Sequence, residues 1–187
     1  DTENMPVAHE DSDLMKAYIA RIQPDVLQEP RDHCWTNLVR HYFELPHFGV
    51  EREAYVEARR AGKRANIVVT NLVNGTIHKA LVIEAKRFPR KTPEGWENKP
   101  TEWNKHLPQL KTYMTTIRRE FGNVQDIFGI LAIGDKLRFY RMKTGNQKGD
   151  LEEFQEESRI FDLHHQGADI GRQLIAIRDY FRPNAGQ

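Results

Sequence analysis

The sequence predicts an α/β domain in which a mixed central β-sheet is flanked by helices. Three observations carry that reading. Two β-rich segments, 65–73 and 76–88, meet at Asn74-Gly75, the dipeptide most favoured in tight hairpins. A short apolar run, Ile127 to Ile133, has the length and composition of a buried strand. Amphipathic stretches with apolar residues at steps of three and four lie before, between and after these strands. At 187 residues the chain has the size of one domain.

The elements follow in order. Asp11, Ser12 and Asp13 offer N-cap chemistry to a short helix carrying Leu14, Tyr18 and Ile22, stopped by Pro24. After Pro30, the spacing of Trp35, Leu38, Val39, Tyr42 and Leu45 predicts a second helix ending before Pro46. Val50 to Ala58 alternates as a strand does. Phe88 to Thr101, with Pro89, Pro93, Gly95 and Pro100, reads as a long functional loop in which Trp96 is placed either to stack on a base or to anchor the loop. Thr101 is expected to cap one long helix with Trp103, Leu107, Leu110, Met114, Ile117 and Phe121 on its buried face, closed by Gly122. Gly134-Asp135 turns the 127–133 strand into another at 137–142, residues 143–158 are polar, and a last helix from about Asp169 buries Ile170, Leu174, Ile177 and Phe181 before Pro183. This divides the chain into an N-terminal segment 1–31, a core 32–142 and a C-terminal segment 143–187 closing the same domain.

Charge and cysteine usage narrow the partners. With 28 Lys+Arg against 27 Asp+Glu, affinity for nucleic acid must come from local clusters and not from net charge. Two such clusters exist, Arg59, Arg60, Lys63 and Arg64, then Lys86, Arg87, Arg90 and Lys91, while acids gather at 152–157. The single cysteine, Cys34, excludes an internal disulfide and fits a reducing compartment. No apolar run approaches the ~20 residues that span a bilayer, so no membrane partner and an intracellular location, cytoplasm or nucleus, are expected. The eight histidines form no metal-binding spacing.

The chemistry concentrates in three segments: 62–69, then Leu81-Val82-Ile83-Glu84-Ala85-Lys86, then Gln109 to Tyr113. On a strand, Glu84 and Lys86 share one face and Leu81, Ile83 and Ala85 the other. A carboxylate beside a cation suits phosphodiester hydrolysis: the carboxylate holds Mg²⁺ or Mn²⁺, and the lysine orients water or offsets developing charge. Register tests the idea. A plain two-residue Asn74-Gly75 loop sets Asn66 opposite Ile83 and removes Glu84 from the shared face, so a bulged or three-residue turn is predicted.

In this block, Glu84-Ala85-Lys86 and Gln109-x-x-x-Tyr113, after the Gly62-Lys63-Arg64 lead, the chain resembles the PD-(D/E)XK nuclease superfamily, in particular the nuclease domains of type I restriction enzyme motor subunits, over roughly 32–142. The resemblance implies a restriction-endonuclease-like fold and a Mg²⁺- or Mn²⁺-dependent nuclease, with DNA favoured over RNA. It implies metal ligation by Glu84 and the Ala85 carbonyl, a catalytic cation at Lys86, and site organisation or backbone contact by Gln109 and Tyr113. Homodimerisation and a larger parent chain are further expectations. One position departs from the family pattern: Asn66 stands where the family's metal-binding aspartate belongs, and loss of that charge weakens divalent-ion binding. Three accounts stay open here: an introduced inactivating change, a natural module that binds nucleic acid or a protein without cutting, or compensation by Glu53, Glu51 or Glu44.

Overall fold

The computed structural model describes residues 8–25, 28–55, 64–145, 150–153 and 159–182. Helices α1 (Asp13–Ala20) and α2 (Gln28–Tyr42) precede strands β1 (Phe48–Tyr55), β2 (Arg64–Val73) and β3 (Thr76–Lys86). Helices α3 (Pro100–Asn104) and α4 (Leu107–Phe121) connect β3 to β4 (Ile127–Ile133), which is followed by β5 (Lys136–Met142), the two-residue strands β6 (Glu152–Glu153) and β7 (Phe161–Asp162), and α5 (Gly167–Phe181). The strands form one mixed sheet in the order β1-β2-β3-β4-β5-β6, with β7 also paired to β5. Among the described residues only β3 and β4 run parallel. A parallel neighbour requires a crossover, and α3 and α4 supply it.

Alternation on the central strands divides the core into two layers. Ile67, Val69, Leu81, Ile83, Phe128 and Ile130 pack with residues of α1, α2 and α5, so the N- and C-terminal segments share a core with the centre of the chain. Val68, Val82, Leu131 and Ile133 pack on the other side with Trp103, Leu110, Tyr113, Met114 and Ile117. Because both faces of β3 and β4 are covered, their sequences are nearly continuous apolar runs.

Several expectations need correction. Ser12 does cap α1, its Oγ accepting the Met15 N–H at 3.2 Å, but the buried stripe is Met15, Ile19 and Ile22, and Leu14 is exposed. Leu45 lies beyond α2 and is also exposed, since the helix stops at Tyr42. The single helix expected from Thr101 is two. Pro100 takes the first helical position, where its missing N–H costs nothing, so Thr101 is inside α3 and not its cap. Pro108 cannot donate back to Asn104, and the chain turns at Lys105 and His106 before α4 begins. Trp96 is buried, its ring 6.2 Å from that of Phe88, so it anchors the loop. The polar stretch after Met142 contains β6, and 56–58 of the expected first strand lie outside the described residues.

The β2–β3 turn corrects a second expectation. It is a plain two-residue turn: Val73 pairs with Thr76, and both Asn74 (φ 50°) and Gly75 (φ 78°) are left-handed, as a turn matching the strand twist requires. The extra residue that the shared site needs lies farther along β3. Thr70 pairs with Lys79 but Val69 with Leu81, so Ala80 is a bulge, and Ile67 comes to lie opposite Ile83. Among the described residues no helix is long and apolar enough to cross a membrane.

Candidate functional site

The last residues of β3 and β4 end side by side, Glu84 opposite Leu131 and Lys86 opposite Ile133. Carboxyl ends of parallel strands are where open α/β sheets form ligand crevices, because the chain must leave the sheet there and the helices stop short of it. Past the bulge, Val82 faces the α4 layer and Ile83 and Ala85 the opposite core, so alternation places Glu84 and Lys86 on one shared face, which is the one toward α4.

The side chains there form one connected series. The Glu84 carboxylate is 3% exposed, and its Oε1 lies 2.5 Å from Lys86 Nζ. Lys86 Nζ donates to Gln109 Oε1 at 2.8 Å, and Gln109 Nε2 donates to Tyr113 Oη at 2.6 Å. Gln109 and Tyr113 meet because residues four apart on a helix lie one above the other. Burial raises the Tyr113 hydroxyl above its ordinary value, the Gln109 bond opposes this, and the Glu84 charge adds to it. Gln109 thereby fixes the lysine ammonium from one side while Glu84 holds it from the other.

The bulge completes a row across three strands. One residue beyond the Ile67–Ile83 pair, the same register sets position 66 opposite Glu84. Position 53 falls opposite 66, between the paired Arg52–Ile67 and Ala54–Ala65. Asn66 and Glu53 thus occupy neighbouring backbone positions beside Glu84. Glu51 is exposed; burial lowers the Lys79 ammonium, and the charges of Glu51 and Glu120 only partly oppose this; Glu44 is exposed just beyond α2 near His41 and His47. Ala85 pairs with Ala132. Among the described residues, no three His, Cys, Asp or Glu side chains converge as a metal site would need.

Beside this series opens a cleft of about 860 Å³. Among the described residues its cations are Lys86, Arg87, Arg90, Lys91, Lys99 and Lys105, and its one carboxylate, Glu102, is paired with Lys105 at 2.9 Å. Six positive groups against one negative make a strong local field in a chain whose net charge is +1. The predicted cluster of Lys86, Arg87, Arg90 and Lys91 is therefore brought to the site. Arg59, Arg60 and Lys63 lie outside the described residues, and Arg64 opens β2 opposite Tyr55. His106 was missed from sequence. It stands at the turn between α3 and α4 and lines the cleft, and burial, then Lys86 and Lys105, hold its imidazole below the usual value against the pull of Glu102. Its only sequence signal is Pro108, which breaks the helix there.

Comparisons of the chain with protein-family models, curated proteins and solved structures return no match.

Proposed function

We propose that this chain is a nucleic-acid-processing domain of the PD-(D/E)XK nuclease type, which binds a phosphodiester backbone in the cationic cleft and presents it to Glu84 and Lys86. The observation that supports this best is the connected series Glu84–Lys86–Gln109–Tyr113 at the end of the parallel strand pair, whose Lys86 lines the cleft. Phosphates are drawn in by the lining cations. Lys86, held between Glu84 and Gln109, points a fixed charge at the reacting phosphate and the attacking water.

Glu84, with Asn66 and Glu53 in the same register row, would hold Mg²⁺ or Mn²⁺. When bound, such an ion supplies Lewis-acid polarisation of the phosphate. The fit is partial, since hard cations depend on ligand charge and the row carries an amide at position 66. The setting is intracellular, where Cys34 stays reduced. The 2.5 Å ion pair favours a second reading: Lys86 already neutralises Glu84, so the domain serves as a binding module without hydrolysis.

The test compares the present chain, Asn66→Asp and Glu84→Ala for Mg²⁺- and Mn²⁺-dependent cleavage of DNA and RNA. Cleavage that appears or rises in Asn66→Asp and vanishes in Glu84→Ala supports the nuclease. Absence of cleavage in both the present chain and Asn66→Asp abandons it in favour of the binding module.

A further inference from the structure

The shape and lining of the cleft bear on what kind of polynucleotide it takes. Lys86 lines the cleft and is 24% exposed, and Glu84, 3% exposed, is paired with it from outside the lining. The cleft has a volume of about 860 Å³. It is the size of cavities that enclose a drug-sized ligand, which is the scale of a few nucleotides of one strand.

The lining is also mixed. Phe88, Pro89 and Pro93 line it together with Arg90, Lys91 and Lys99. A duplex presents phosphates and sugars outward and keeps its base faces stacked, so apolar walls among the cations gain nothing from it. An unpaired strand exposes base faces and phosphates together, and sites for it combine an electrostatic groove with aromatic platforms. Phe88 is half-buried, and its ring packs over Gly134, where an added Cβ would come within 2.5 Å of it. That contact pre-sets the ring orientation, so little side-chain freedom remains to be lost on stacking.

Resting on the reading of the cleft as a phosphodiester site, we propose that its substrate is a single, unpaired strand, with phosphates on the cations and a base stacked on Phe88. DNA and RNA strands share this chemistry. The test is fluorescence anisotropy of the chain, in EDTA so that nothing is cut, with a short labelled DNA strand, the same sequence as duplex, and the RNA strand. The expected result is binding of at least one single strand roughly tenfold tighter than the duplex, and a loss of about fivefold or more for that strand in Phe88→Leu, which keeps apolar bulk but no aromatic face. Circular dichroism and the thermal midpoint of Phe88→Leu report whether it is folded. Arg90→Gln with Lys91→Gln, both exposed, should weaken strand binding without disturbing the fold. Duplex binding as tight as that of the strands, or a folded Phe88→Leu that binds strands unchanged, overturns the inference while leaving a phosphodiester site in place. Failure to bind any of the three removes both.

Discussion

Replacing Lys86 by Met tests whether Glu84 is held as a buried anion by its neighbour. The variant keeps most of the aliphatic stem of the lysine and removes the ammonium 2.5 Å from Glu84 Oε1. Removing one partner of a buried pair costs about 3–5 kcal/mol, because the remaining charge stays desolvated. The carboxylate has an escape, however: it can take up a proton. At pH 7, protonating a carboxyl whose unfolded value is ~4.3 costs about 1.36 kcal/mol for each of ~2.7 pH units, a ceiling near ~3.7 kcal/mol. At pH 5 the same ceiling is about 1 kcal/mol. A carboxyl whose folded value is raised favours the folded state below its unfolded value and loses that advantage as pH rises, so the penalty grows with pH. Urea unfolding followed by tryptophan fluorescence is the assay, since Trp35, Trp96 and Trp103 are all buried. The expected loss for Lys86→Met is about 3 kcal/mol or a little more at pH 7, shrinking to about 1 at pH 5, with most of it recovered in Glu84→Gln/Lys86→Met. A loss equal at both pH values would refute the argument, since it would mean that Glu84 reaches water or is neutralised by other groups.

Three further predictions come from elsewhere in the fold. His9 is fully buried, with Nδ1 2.5 Å from Tyr42 Oη; burial, aided by His41 and opposed by Asp11, lowers it from 6.5 to about 4. The unfolded chain therefore binds a proton that the folded chain refuses between those values, and stability falls as pH drops through that window by up to about 3 kcal/mol; His9→Gln should lack this component in urea titrations from pH 7 to pH 4. Gly134 has φ 59°, and a Cβ there meets Phe88, so Gly134→Ala should lose about 1–2 kcal/mol from the left-handed backbone alone, with a further loss as Phe88 is displaced, read by denaturation midpoint. Cys34 is 0% exposed, and burial pushes its thiol up to about 12, so thiol reagents should modify it only at the rate of unfolding.

The parts of the site that were legible in sequence are those fixed by local periodicity. Glu84 and Lys86 share a face because strands alternate, and Gln109 meets Tyr113 because helices repeat every 3.6 residues. What failed depends on energies that no local pattern carries. The extra residue required by the shared row was expected at the Asn74-Gly75 turn, yet that turn closes in its best two-residue form and the bulge falls at Ala80. The helix break at His106 escaped because the step from Trp103 to Leu107 continues the apolar rhythm across it, while Pro108 decides the matter by its missing N–H. Leu14 and Leu45 are apolar residues left on the surface, which folded proteins tolerate singly. Strands β6 and β7 exist only because β5 offers them an edge.

Asn66 has consequences for stability that are separable from cleavage. With an amide at position 66, the row of Glu53, Asn66 and Glu84 carries two acids, and Lys86 offsets one of them. Asn66→Asp sets a third acid directly beside Glu84 at a cross-strand spacing of ~5 Å, where like charges repel. In EDTA this substitution should therefore cost up to about 3 kcal/mol, the repulsion of two charges ~5 Å apart in an effective dielectric near 20, and less as salt screens it. A divalent ion that binds the folded row and not the unfolded chain reverses the sign, adding about 1.4 kcal/mol for each tenfold excess over its dissociation constant. The thermal midpoint of Asn66→Asp should thus lie below that of the present chain in EDTA and rise with Mg²⁺ or Mn²⁺ far more than the present chain does. Glu84→Gln in the same background should abolish the rise. If Asn66→Asp melts like the present chain in EDTA and does not respond to either ion, the register row is not a metal site, whatever the cleft binds.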